Sequence, residues 1–122
     1  MANETTHLAE YAATLRYEDL PPAVVERAKA CIADTVATII YGGEFPWSRI
    51  ITGYARRVGA GGKSRILGAG GFSVHPAAAA LANGALAHAF EMDNLTKPNA
   101  GVHPGATLLS PALAKLLGKD SA

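Results

Sequence analysis

The side chains best suited to chemistry in this chain fall within one stretch, His88 to Gly105 (HAFEMDNLTKPNAGVHPG). His88 and Glu91 stand three residues apart, a spacing that puts both on one face of a helix. A carboxylate so placed orients an imidazole, and the C-terminal end of a helix favours its protonated form. Asn83 precedes them on the same segment, and Asp93 and Asn94 follow as the helical pattern ends. Beyond a polar loop comes Val102-His103-Pro104-Gly105-Ala106. Proline fixes the backbone beside His103, and glycine lets a ligand come close to the main chain. A helix starting here would turn free N–H groups and its positive end toward a carboxylate, with His103 placed to move a proton at the adjacent carbon. The plainer alternatives are a His–Glu pair that merely caps a helix and an ordinary loop histidine.

Other signals are incomplete. Gly62-Lys63-Ser64 ends like a phosphate-binding loop, but the position that should hold its first glycine is Arg57, and the segment follows a helix rather than a strand. Gly68-Ala69-Gly70-Gly71 lacks the strand–turn–helix setting of a dinucleotide site. The histidines, at 7, 75, 88 and 103, share no short ligand spacing, so no metal ligand is assigned from the linear sequence. With 11 basic and 10 acidic residues and a net charge of +1, the chain has no basic stripe for nucleic acid. Cys31 is the single cysteine, which excludes an internal disulfide. Neither a secretory leader nor an apolar run long enough for a membrane span is visible. These features predict a cytoplasmic protein.

The elements that must position these residues read as helices. Leu8, Ala12 and Leu15 mark a first one near Thr6 to Leu15. Val25, Ala28, Ile32, Thr35/Val36 and Ile39 mark a second, from Pro21-Pro22 to Gly42-Gly43, its apolar face broken by Asp34. Pro46 opens a third with the stripe Trp47, Ile50/Ile51, Tyr54 and Val58. Residues 64–74 have extended character and predict an irregular hairpin or loop. A fourth helix runs from His75-Pro76 to about Met92. Eight of the thirteen residues from Ala77 to Ala89 are alanine, which favours helix and close approach of neighbours, as in the centre of a bundle. A fifth helix follows the polar loop and runs to Leu117, with Pro111 and Ser110 marking a kink or a restart. The chain then stops at Lys119-Asp120-Ser121-Ala122, just after a helix end. The prediction is an all-α multi-helix bundle of about five helices. At 49% hydrophobic and 17% charged, its surface is short of charge and reads as one meant to be covered.

The runs LAEYAATLRYEDLP, AKACIADTVATIIYGG, ILGAGGFSVHPAAAALANGALAHAFEMDN and GVHPGATLLSPALA resemble the N-terminal part of the MmgE/PrpD family, through the whole chain. The resemblance implies that residues 1–122 are a portion of a larger helical domain, the rest of it and an α/β lid domain being absent. It implies a cofactor-independent lyase or isomerase, similar to 2-methylcitrate dehydratase, that abstracts a proton next to a carboxylate of a small di- or tricarboxylate. It also implies a homodimer through the helical part, and active-site positions at Glu91 to Asp93 and at His103. His103, Glu91 and Asp93 are thus the catalytic candidates, and His88, Asn83, Asn94 and Gly105 the substrate-binding ones. Family members commonly carry His-x-x-Asp-x-Asp-Asp where this chain has His88-Ala89-Phe90-Glu91-Met92-Asp93-Asn94, and the loop before His103 is about a residue longer. This departure leaves the choice among dehydration, decarboxylation and epimerisation open. The competing expectation is a non-catalytic helical dimerisation or interaction module from a truncated gene.

Overall fold

Alanine dictates the architecture. In the computed structural model, which describes residues 3–96 and 101–118, helix α4 (Pro76–Ala87) buries Ala78, Ala79, Ala82, Leu86 and Ala87. Around it pack α2 (Pro22–Gly42), α3 (Ser48–Val58), α5 (Ser110–Leu117) and strand β1 (Ser64–Arg65). The core is completed by Ile39 of α2, Ala55 of α3, Ala114 of α5, and Ile66 and Val74. Small side chains let the backbones approach closely. A methyl added at Gly42 would collide with the carbonyl oxygen of Leu86, and one at Gly84 would lie 2.8 Å from the carbonyl oxygen of Ala106. The fold is therefore all-α, with five α-helices and one small sheet among the described residues.

That sheet pairs β1 with β2 (Ser73–Val74) in antiparallel register, Ser64 opposite Val74. The connecting loop carries left-handed residues at Ala69, Gly70 and Gly71. Asn83 of α4 clamps the start of the loop: its Oδ1 accepts from Leu67 N at 3.0 Å and its Nδ2 donates to Arg65 O at 3.0 Å.

Three elements differ from the periodicity reading. The third helix starts at Ser48 rather than Pro46 and turns its other face inward, burying Ser48, Thr52 and Ala55. The hydroxyls of Ser48 and Thr52 bond to the carbonyls of Gly42 (2.6 Å) and Ser48 (2.9 Å). Satisfied in this way, small polar residues can lie against the alanines of α4 without an unpaired donor. Of the expected stripe, Trp47, Ile50, Tyr54 and Val58 stay exposed, Ile50 by 78%, while Ile51 is half-buried against the core.

The fourth helix ends at Ala87, about five residues short of the expected Met92. His88 N bonds Gly84 O and Ala89 N bonds Leu86 O, both at 3.2 Å, which closes the last turn. Phe90 then packs edge-on against Tyr41 and tilted against Phe45, while the Trp47 indole N–H donates to Ala89 O at 3.2 Å. Glu91 follows with φ of +55°, a left-handed conformation that ends helical continuation.

Before α5 the chain forms a π-helical turn, Gly105–Leu109. Pro111 accounts for it: proline lacks an N–H, and in a regular α-helix its ring would meet the carbonyl four residues back. The widened turn relieves that conflict and carries the Ser110 N–H to Gly105 O. Helix α1 (Glu4–Thr14) has no buried residue, so the expected Leu8 face packs on nothing in the described chain. Among the described residues no helix is long and apolar enough to cross a membrane. Residues 97–100 of the polar loop and the terminal residues 119–122 lie outside the described chain.

Candidate acid/base site

Because α4 stops early, His88 sits at its C-terminal cap and the chain folds back so that Asp93 lies beneath it. The Asp93 side chain is fully buried and is shared between two imidazoles. His88 Nδ1 lies 2.8 Å from Oδ1, and His103 Nδ1 lies 3.1 Å from Oδ2. The two rings meet edge to face, their centroids 4.3 Å apart. An ionised carboxylate only accepts, so each Nδ1 donates to it, which turns the Nε2 of each ring away from Asp93, that of His88 toward Glu91 Oε1 at 3.7 Å. One buried carboxylate thus sets the tautomer of both histidines.

His103 is held from both sides. Its carbonyl accepts from Thr107 N (3.1 Å) and Thr107 Oγ1 (2.8 Å), and Val102 O accepts from Thr96 N at 3.0 Å. Asn94 ties this loop to α2: its Oδ1 accepts from Gly105 N at 3.0 Å, and its Nδ2 reaches Asp34 Oδ2 at 3.3 Å and Thr35 Oγ1 at 3.4 Å. Gly105 is buried so tightly that an added methyl would stand 2.6 Å from Thr35 Oγ1.

The rings of His88 and His103 border an open cavity of about 660 Å³, otherwise lined by Leu81, Gly84, Ala85, Val102, Ala106 and their neighbours. The imidazoles are the only ionisable groups among its lining residues. The arrangement can take a proton from, or give one to, a small molecule seated against an apolar wall. Among the described residues that line it there is no lysine or arginine.

Of the residues singled out in the sequence, His88, Asp93 and His103 come together. Glu91 stands at the edge, 82% exposed, with Oε1 3.7 Å from His88 Nε2. The pairing survives, but not through a shared helical face, since α4 has already ended. Asn83 is not brought to the cavity: it is buried, with both ends of its amide bonded to the backbone around β1. Gly105 and Asn94 also serve structure. The Gly105 N–H expected to face an anion is taken by Asn94. Asp34 and Thr35 anchor Asn94, which gives Asp34 the structural hydrogen bond that a carboxylate on that helix face calls for. Asp34 did interrupt an apolar face, and it proves to be an exposed acceptor for Asn94. The fold also gathers a potential metal-ligand set that linear spacing did not show: His88, Asp93 and His103 offer ligand atoms all within 4.8 Å of one another.

Comparison with known proteins accords with this geometry. The family model for the MmgE/PrpD N-terminal domain matches residues 6–116. The chain is 32% identical over 109 residues to a cis-aconitate decarboxylase of Aspergillus terreus, covering 89% of this chain and 22% of that protein. It is 31% identical over 126 residues to the cis-aconitate decarboxylase-like protein oryM of Aspergillus oryzae, covering 91% and 22%. The chain thus spans about a fifth of the length of the curated relatives it matches. No solved structure matches it. With a family match that runs from the first helix through the fifth, this chain belongs to the MmgE/PrpD family.

Proposed function

We propose that the chain supplies one wall of the active site of a cofactor-independent lyase for small di- or tricarboxylates. The observation that carries this reading is the buried Asp93 carboxylate holding His88 and His103 together at the border of a cavity. His103 is the proton-transferring group, and Asp93 holds the ring in place and stabilises its charged form.

The same pair serves either reaction of this class. In an elimination, Nε2 takes the proton from the carbon next to a carboxylate. The electron pair forms the new double bond, and the neighbouring hydroxyl leaves as water with a proton from a second acid. In a decarboxylation, the bond to the departing carboxylate breaks and carbon dioxide leaves. The electron pair forms a new double bond to the adjoining unsaturated carbon, and the pair of the former double bond takes a proton from the imidazolium at its far carbon. The named activity of the relatives supports the second route. Glu91 and Asn94 depart from the family's usual acidic cluster while Asp93 keeps it, which bears on the substrate and on the geometry of proton transfer.

Replacing His103 by alanine in a full-length active protein is expected to lower kcat by at least ~100-fold. Undiminished turnover of a small tricarboxylate by that variant would remove His103 from the mechanism.

A second reading, a helical association module, is favoured by the outward apolar stripe of α3. Sedimentation of the 122-residue chain separates the two. A dimer indifferent to citrate-like acids supports the module, whereas saturable binding of such acids supports the site.

A further inference from the structure

We infer that His88, Asp93 and His103 form a binding site for a divalent transition-metal ion of borderline softness, Zn²⁺ being the type, and that the ion blocks proton transfer there. Binding does not depend on the lyase reading, since it follows from the donor atoms alone.

Two imidazoles and a carboxylate are a donor set suited to Zn²⁺, Co²⁺, Ni²⁺ or Cu²⁺, whereas Mg²⁺ and Ca²⁺ prefer oxygen throughout. The spacing fits. Ligand atoms about 2.0–2.1 Å from a tetrahedral ion stand about 3.3–3.4 Å from one another. The two imidazole–carboxylate separations, 2.8 and 3.1 Å, are to different oxygens of Asp93, so an ion held by one oxygen needs that contact to open by a few tenths of an ångström and the other ring to turn toward it. The three donors as a set already lie within 4.8 Å, and small rotations of the partly exposed rings close the rest. Asp93 is held rigidly, because its side chain is fully buried, and the backbone at His103 is pinned by Thr107.

Charge argues in the same direction. Among the described residues, the groups that pair with the Asp93 carboxylate are these two histidines. A divalent ion would replace the shared protons with a fixed positive charge beside that carboxylate. Three protein ligands leave one tetrahedral position open for water or a ligand carboxylate. With its ring nitrogen on the metal, His103 could neither take nor deliver a proton, so the ion acts as an inhibitor rather than as a resident cofactor.

The test is a titration of the purified 122-residue chain. Co²⁺ is followed by its visible d–d absorption, and Zn²⁺ by the imidazole NMR signals. The expected result is saturable binding of one ion per chain with a tetrahedral cobalt spectrum. The signals of His88 and His103 shift, while those of His7 and His75, which lie elsewhere and are exposed, stay in place. A His88→Gln/His103→Gln variant should bind at least ~10-fold more weakly, and a His7→Gln/His75→Gln variant should bind as the parent does. Absence of saturable binding, shifts confined to His7 or His75, or full affinity in the first variant would overturn the inference. The NMR arm uses the unaltered chain, so it decides the matter even if a variant fails to fold. The outcomes are also separable from those of the lyase reading. A His103→Ala enzyme that has lost turnover, alongside a chain that ignores Zn²⁺, sinks only the metal site. The reverse pattern sinks only the lyase role.

Discussion

Two neighbouring residues, Asp93 and Asn94, do opposite work. Asp93 is charged, buried and faces the histidines; Asn94 is neutral and faces the carboxylate of Asp34. Exchanging their chemistry should be costly at both positions. Asp93→Asn leaves one oxygen acceptor and turns an amide donor toward the other imidazole, which must then present a lone pair at Nδ1. We expect one of the two histidines to change tautomer, visible in ¹⁵N chemical shifts of the ring. The chain should lose about 1–3 kcal/mol in urea unfolding, the range for a buried polar group that loses its partner. Unchanged tautomers in the variant would show that Asp93 does not set them. Asn94→Asp would place a second carboxylate where Nδ2 now lies 3.3 Å from Asp34 Oδ2. Because Asp34 is exposed, solvent screens the repulsion to about 1 kcal/mol. Asp34→Asn should restore the loss, and a double-mutant cycle measures it. Additive effects would show that the two side chains do not interact. On this account the asparagine, where the family commonly has an acid, is matched to Asp34 across the gap between loop and helix.

At the scale of elements, the information that was legible in the sequence was periodic or compositional. The alanine run of α4 correctly implied a central helix with close neighbours, and Gly42-Gly43 marked the end of α2 to the residue. What escaped was decided by contacts between elements. No local pattern could show that Phe90 would lodge against Tyr41 and Phe45 and so end α4 before Met92. Nor could periodicity tell which face of α3 turns inward, since α4 offers so little bulk that serine and threonine fit against it better than tryptophan and isoleucine. The site was legible as a neighbourhood, because His88, Asp93 and His103 lie near one another in sequence. Its wiring was legible only in part, because helical spacing paired His88 with Glu91, a contact kept at 3.7 Å, but gave no sign of the closer bond to Asp93 or of its sharing with His103. Glycines give a sharp test of the packing. Gly42→Ala should destabilise the chain by about 1–3 kcal/mol, the usual cost of forcing atoms into a filled space, because the methyl meets the Leu86 carbonyl. Gly53→Ala, in the middle of α3 with nothing within 4 Å of the added methyl, should stabilise it by about 0.5–1 kcal/mol through helix propensity. Thermal unfolding of the two variants reads both, and a common sign would refute the packing described between α2 and α4.

For the whole molecule, the exposed surface matters as much as the core. Trp47, Ile50, Tyr54 and Val58 form an exposed apolar stripe, and the first three border a cavity of about 490 Å³ with Ile51, Ala85 and Arg57. Burying a large apolar side chain contributes about 1.5–3 kcal/mol, so this stripe could supply several kcal/mol to an interface. Association costs roughly 4 kcal/mol or more before any contact is counted. The balance predicts self-association of the isolated chain that is weak and concentration-dependent, and not a tight dimer. Sedimentation equilibrium across a wide concentration range should show it. An Ile50→Glu/Tyr54→Glu variant should shift the chain toward monomer while leaving its circular dichroism unchanged, since neither side chain belongs to the core. If the parent chain stays monomeric at the highest concentration, the stripe is not an adhesive surface. If the variant associates as strongly as the parent, the contact lies elsewhere, with exposed Leu8 and Tyr11 of α1 as the next apolar surface to alter.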